Sequence, residues 1–154
     1  MRRLLVFATA LLAAVVLIAP TAGASTAVAI NGGGRGTVDG TTPFSQFGFE
    51  VTRHADGSLT GHFNCLMAGS SQFPGFDLMA VRGDVTDAAF TANGATFSGV
   101  GMLQTGNQGK SAATFRAVVT EGGPGVGTLQ LTLLTPMLME MPTEHVFNGQ
   151  IAMH

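Results

Sequence analysis

The residues best suited to chemistry stand together near the C-terminus. Met137, Met139 and Met141 occupy every second position, and His145 follows just beyond Pro142. On an extended chain the three thioethers point the same way, because side chains alternate faces with a period of two. With the imidazole of His145 folded back after the proline, they would form a soft sulfur and nitrogen set suited to Cu(I). The same spacing has a plainer use: Leu134, Met137, Met139 and Met141 can pack against a sheet, since methionine fills irregular gaps in cores.

Other groups fall short of a reactive constellation. His54 and His62 flank one predicted hairpin, but a structural zinc site needs about four ligands at suitable spacing, and neither C-x-x-C nor H-x-x-x-H occurs. Cys65 has Asn64 and Leu66 as neighbours and no cation to lower its pKa, so it reads as a small core residue. Ser70-Ser71 follows Gly69 without completing G-x-S-x-G. Asp77, Asp84 and Asp87 gather around Arg82 and read as a solvated strand edge, where charge discourages edge pairing. Gly32-Gly33-Gly34-Arg35-Gly36 lacks a following helix, so it is no phosphate loop; it is expected to be a flexible lead-in to the first strand.

The elements that must carry these residues are strands. Phe47 to Arg53 alternates apolar and polar residues, Ala55-Asp56-Gly57-Ser58 supplies turn chemistry, and Leu59 to Cys65 alternates again, so residues 46–67 are predicted to form a β-hairpin. Leu59, Gly61, Phe63 and Cys65 would share one face. Further strands are expected over 76–85, 87–92, 95–104, 111–121 and 128–134, with turns at Asn93-Gly94, 106–109 and 122–127. Ala113, Phe115, Ala117 and Val119 alternate with Thr114, Arg116, Val118 and Thr120, and no stretch sustains a helical period. The pattern predicts an all-β antiparallel sandwich or small barrel of about eight to ten short strands. Glycines within strands (Gly48, Gly61, Gly99, Gly101) favour a strongly curved sheet.

The ends and the composition bound the function. Met1-Arg2-Arg3, the apolar run from Leu4 to Ala19 and the small residues Ala22 and Ala24 form a secretory signal peptide over residues 1–24, with cleavage expected after Ala24. Residues 25–154 then form a single secreted or periplasmic domain, without a membrane span or a lipid-modified N-terminal cysteine. Beyond the leader, five basic residues (Arg35, Arg53, Arg82, Lys110, Arg116) face nine acidic ones, so nucleic acid is not an expected partner. With no Trp and no Tyr, stacking platforms for bases or sugars are also disfavoured.

Several pieces in order carry a family resemblance: Gly32-Gly33-Gly34, Phe47-Gly48-Phe49, Asp56-Gly57 leading to Gly61-His62, residues 95–101 (ATFSGVG), residues 122–127 (GGPGVG) and the ending 147–154 (FNGQIAMH). The chain resembles the small secreted, glycine-rich β domains of the post-COAP-1-type and hypothetical exported bacterial proteins. That resemblance implies an all-β extracellular module without an assigned catalytic activity. Two departures stand out: Gly123 and Thr128 occupy places that are usually acidic in that family, and the methionine segment replaces a glycine-rich turn over residues 134–144. The function expected is non-enzymatic binding or surface association, with a protein or cell-envelope component as partner and no cofactor. The alternatives are a small barrel that holds an apolar ligand or performs isomerase-like chemistry, its phenylalanines and methionines lining the cavity, and copper binding through Met137, Met139, Met141 and His145.

Overall fold

The computed structural model describes residues 26–68, 78–106 and 109–154. The expected leader, Ser70-Ser71, Asp77 and the centre of the 106–109 turn lie outside the described residues. The chain is all-β. Nine strands follow one another: β1 (Val28–Thr37), β2 (Pro43–Arg53), β3 (Leu59–Ala68), β4 (Leu78–Thr91), β5 (Gly94–Thr105), β6 (Lys110–Thr120), β7 (Thr128–Thr135), β8 (Met139–Glu140) and β9 (Glu144–Met153). Each of β1 to β7 pairs antiparallel with the next, β9 pairs with β1, and β7 meets β9, so the single sheet wraps into an uneven ring. The short β8 lies against the other end of β7.

The seam of the ring is thin. Strands β7 and β9 share only the pairs Thr128↔His145 and Leu129↔Glu144. The glycine-rich turn after β6 reinforces it: Gly122 and Ile151 exchange backbone hydrogen bonds of 2.9 and 3.0 Å, and Val146 accepts from the Gly125 N–H and donates to the Gly127 carbonyl, each at 2.8 Å. Unpaired backbone groups at such a seam would be costly, and this turn satisfies them.

Strand alternation decides what faces inward. In β6 the inward residues Ala113, Phe115, Ala117 and Val119 are all buried, while Arg116 and Val118 are exposed. The hairpin β2–β3 places Phe47, Phe49, Val51, Phe63 and Cys65 in the same core. Four phenylalanines form a continuous chain of ring contacts there: Phe49 meets Phe97 at 5.3 Å between centroids in a tilted pair, Phe97 meets Phe63 edge-on at 5.8 Å, and Phe63 stacks on Phe115 at 5.0 Å. Each such pair contributes about 0.5–1.5 kcal/mol beyond area burial.

Glycines make room for these rings. Phe63 and Phe115 stand on strands separated by β4 and β5, and the intervening inward positions include Gly83, Gly99 and Gly101. A Cβ on Gly99 would lie 2.7 Å from the Phe115 ring and 2.2 Å from the Asp84 carbonyl oxygen.

Two expectations are corrected. Residues 76–85 and 87–92 are not separate strands: β4 runs unbroken from Leu78 to Thr91 through a bulge at Thr86, where the register to β5 shifts. The extra residue flips the parity of inward positions, from Met79, Val81 and Val85 to Ala88 and Phe90, and so mimics a strand boundary. The run Gly32–Gly36 is not a flexible lead-in but the body of β1, fully paired on both sides. Gly32 and Gly36 lie under neighbouring side chains: a Cβ on Gly32 would meet the Phe49 ring at 2.6 Å, and one on Gly36 the Glu144 side chain. Gly34 faces Gly149 across the β1–β9 ladder, both at positive φ (147° and 97°), a backbone that glycine adopts without strain.

Candidate functional site

Two places in the fold gather polar chemistry: a buried cluster inside the ring and a groove outside it. The buried cluster follows from strand register. Glu144 opens β9 on the same face as buried Val146, and it is only 2% exposed. Gly36, on the neighbouring β1, leaves the space it fills, since a Cβ there would overlap the carboxylate. Ser45 of β2, itself buried, donates its hydroxyl to Glu144 Oε2. Burial pushes the Glu144 carboxyl up to about 7, and the Ser45 hydrogen bond only partly opposes the shift. Burial likewise drives the Cys65 thiol far up, with the nearby Glu144 carboxylate adding to the effect and a hydrogen bond with Ser45 opposing it. Burial thus favours the protonated, shielded form of the Cys65 thiol.

The groove runs over the outer face of β3 to β6. Leu66, Ala80, Gln104 and Lys110 are successive cross-strand partners in one row. In the next row Asn64, Arg82 and Met102 are partners, and in the third His62, Asp84 and Val100. Leu66, Leu78, Ala80, Arg82, Met102, Gln104 and Lys110 enclose an apolar lobe of about 390 Å³. Arg82 and Met102 also border a more open, more polar lobe of about 600 Å³ that reaches His62, Asn64, Asp84 and Val100. Val100 and Met102 are 51% and 44% exposed, conspicuous for apolar side chains that share one groove.

Charge concentrates there too. Two of the cations of the described chain lie over aromatic rings: Arg35 is 5.8 Å from the Phe147 centroid, and Arg53 is 5.9 Å from that of Phe90 while also donating to the Ala88 carbonyl. Arg82, Lys110 and Arg116, by contrast, have no side-chain hydrogen bond or ion pair among the described residues, and the first two of them border the groove.

The four residues of the copper alternative take different environments. Met141 is 1% exposed in the core, Met139 packs partly against it, and Met137 and His145 are exposed. Within residues 137–141 only Met139 and Glu140 belong to a strand, and Leu134 is exposed. The packing use of the segment thus describes Met139 and Met141, not Leu134 or Met137. His54 bonds through Nε2 to Thr60 Oγ1 at 2.9 Å, within its own hairpin, whereas His62 faces the polar lobe of the groove.

Sequence reasoning missed both the buried carboxylate and the groove. Glu144 shares the parity of Val146, a signal that points inward, but the polar run Pro142-Thr143-Glu144-His145 disguises it as a turn. The groove depends on four strands in register, which no single stretch displays. Comparison with protein-family models, curated proteins and solved structures gives no match.

Proposed function

We propose that this chain is an exported, non-enzymatic β domain that acts by binding, and that the outer groove across β3 to β6 is its contact surface. One contrast carries the reading: the interior is occupied by packed phenylalanines, while exposed apolar side chains and cations without a side-chain partner among the described residues share the outer groove. Apolar surface rimmed by polar groups is the usual character of an interaction site. The signal peptide expected over residues 1–24 and the resemblance to secreted glycine-rich modules support export, and a cell-envelope component is the partner class that fits it. The shielded state of Cys65 and the closed setting of Ser45 and Glu144 support binding over group transfer.

Sedimentation with envelope material from the producing cells tests the reading. Wild type is expected to co-sediment, and Val100→Glu/Met102→Glu to lose at least tenfold in apparent affinity with an unchanged urea midpoint, because both positions are exposed. Wild type left in solution, or a variant that sediments equally well, would contradict it.

A further inference from the structure

The two lobes of the groove differ in a way that specifies a ligand. The apolar lobe is floored by Leu66, Leu78, Ala80 and Met102, with the small Ala80 at its centre. From Leu78 to Arg82 strand β4 advances about 13 Å at about 3.3 Å per residue, the length scale of a medium-length alkyl chain. At about 390 Å³ the lobe falls in the range of ordinary small-molecule sites, roughly 300–1,000 Å³.

At one end of that floor stand the two cations. Arg82 lies on β4 and Lys110 on β6, one row apart, with Gln104 and Met102 of β5 between them. Two strand spacings separate them laterally by about 10 Å, so both long side chains can converge on one anion between the rows. The guanidinium suits a carboxylate in particular, through paired N–H donors. Asp84 stands in the third row, beyond Arg82 and away from Leu78. An anion held between Arg82 and Lys110 keeps the full width of a row from that carboxylate, and its tail runs the other way, towards Leu66 and Leu78.

We propose that this groove binds a single-chain anionic amphiphile, a straight-chain carboxylate whose head sits between Arg82 and Lys110, beside Met102 and Gln104, and whose chain lies over Ala80, Leu66 and Leu78. This rests on the binding role of the outer face and narrows it to a ligand class. Charge complementarity selects the occupant: the chain carries an acidic excess, yet this groove offers two cations, unpartnered among the described residues, beside apolar surface, which a neutral or cationic amphiphile would leave unused.

Dodecanoate is the probe, followed by calorimetry on the mature protein and compared with dodecyltrimethylammonium, which has the same chain and the opposite charge. Saturable binding of dodecanoate is expected, weakened at least tenfold in Arg82→Gln/Lys110→Gln and undiminished in Asp84→Asn, with negligible binding of the cationic probe. Equal binding of the two amphiphiles, or dodecanoate binding that survives loss of both cations, would overturn the assignment. So would uptake only onto vesicles of anionic phospholipid, which would point to a membrane surface. If dodecanoate does not bind while wild type still sediments with envelope material and Val100→Glu/Met102→Glu does not, the ligand class fails and the binding surface stands. If both experiments fail, the binding role falls with it.

Discussion

Replacing Glu144 with glutamine isolates the strongest electrostatic feature of the interior. The carboxyl has an ordinary pKa of 4.5, and burial raises it to about 7 in the folded chain. Between those values the folded protein keeps a proton that the unfolded chain has released, so stability falls as pH rises. The loss begins near the unfolded value and is complete above the folded one. At about 1.4 kcal/mol per unit the shift amounts to roughly 3 kcal/mol at pH 8. Glutamine cannot titrate, and its amide oxygen can still accept from the Ser45 hydroxyl that now bonds Oε2. Urea unfolding of both proteins from pH 4.5 to pH 8 reads the difference directly, and it cancels the remaining carboxylates, Asp39 and Asp56 among them, whose pKa values are lowered by hydrogen bonds and which titrate below this window. Glu144→Gln is expected to match wild type near pH 4.5 and to exceed it by about 3 kcal/mol at pH 8, with equal m-values. A gap between the two proteins that does not change with pH would refute the claim that this carboxyl is buried and proton-holding.

Three further outcomes follow from the packing. Gly99→Val drives a side chain against the Asp84 carbonyl and the Phe115 ring, so a loss of about 1–3 kcal/mol is expected from urea midpoints; a neutral result would show that β4 and β5 can separate there. Met141→Ala empties a core position and should cost about 2–5 kcal/mol, whereas exposed Met137→Ala should stay within about 0.5 kcal/mol. Because those two methionines occupy core and solvent, Cu(I) titration under reducing conditions should leave wild type and Met137→Leu/Met139→Leu/Met141→Leu alike; tight stoichiometric binding lost in the variant would instead establish the copper site. Buried Cys65 should resist an alkylating reagent in the folded protein and react on unfolding, and rapid native labelling would count against its shielding.

Much of the sheet was legible because alternation is a local signal. The β2–β3 hairpin and the inward face of β6 followed from period-two patterning, since each of those strands has one face in the core and one outside. Two kinds of feature escaped it. Where a bulge at Thr86 shifts parity, one long strand reads as two. Where the side chain that fills a space belongs to another strand, as Phe49 does over Gly32 and Glu144 does beside Gly36, a glycine run looks flexible although it is fully paired. The candidate site was invisible for the same reason: Lys110, Arg82 and Leu66 are far apart in the chain and meet only once four strands are aligned. Local patterning did place the copper candidates on one extended segment, but the chain there forms a strand only at Met139–Glu140.

Binding on the outside rather than the inside of the ring is tested most directly by methionine methyl NMR. Met102 lines the groove, while Met67, Met79 and Met141 are buried in the core, so four methyl signals report the two surfaces in one spectrum. On addition of soluble envelope extract to the mature protein, the Met102 signal is expected to shift or broaden while the three core signals hold. Movement of Met67, Met79 and Met141 with Met102 unchanged would place the ligand inside the ring and contradict the assignment of the outer groove as the binding surface.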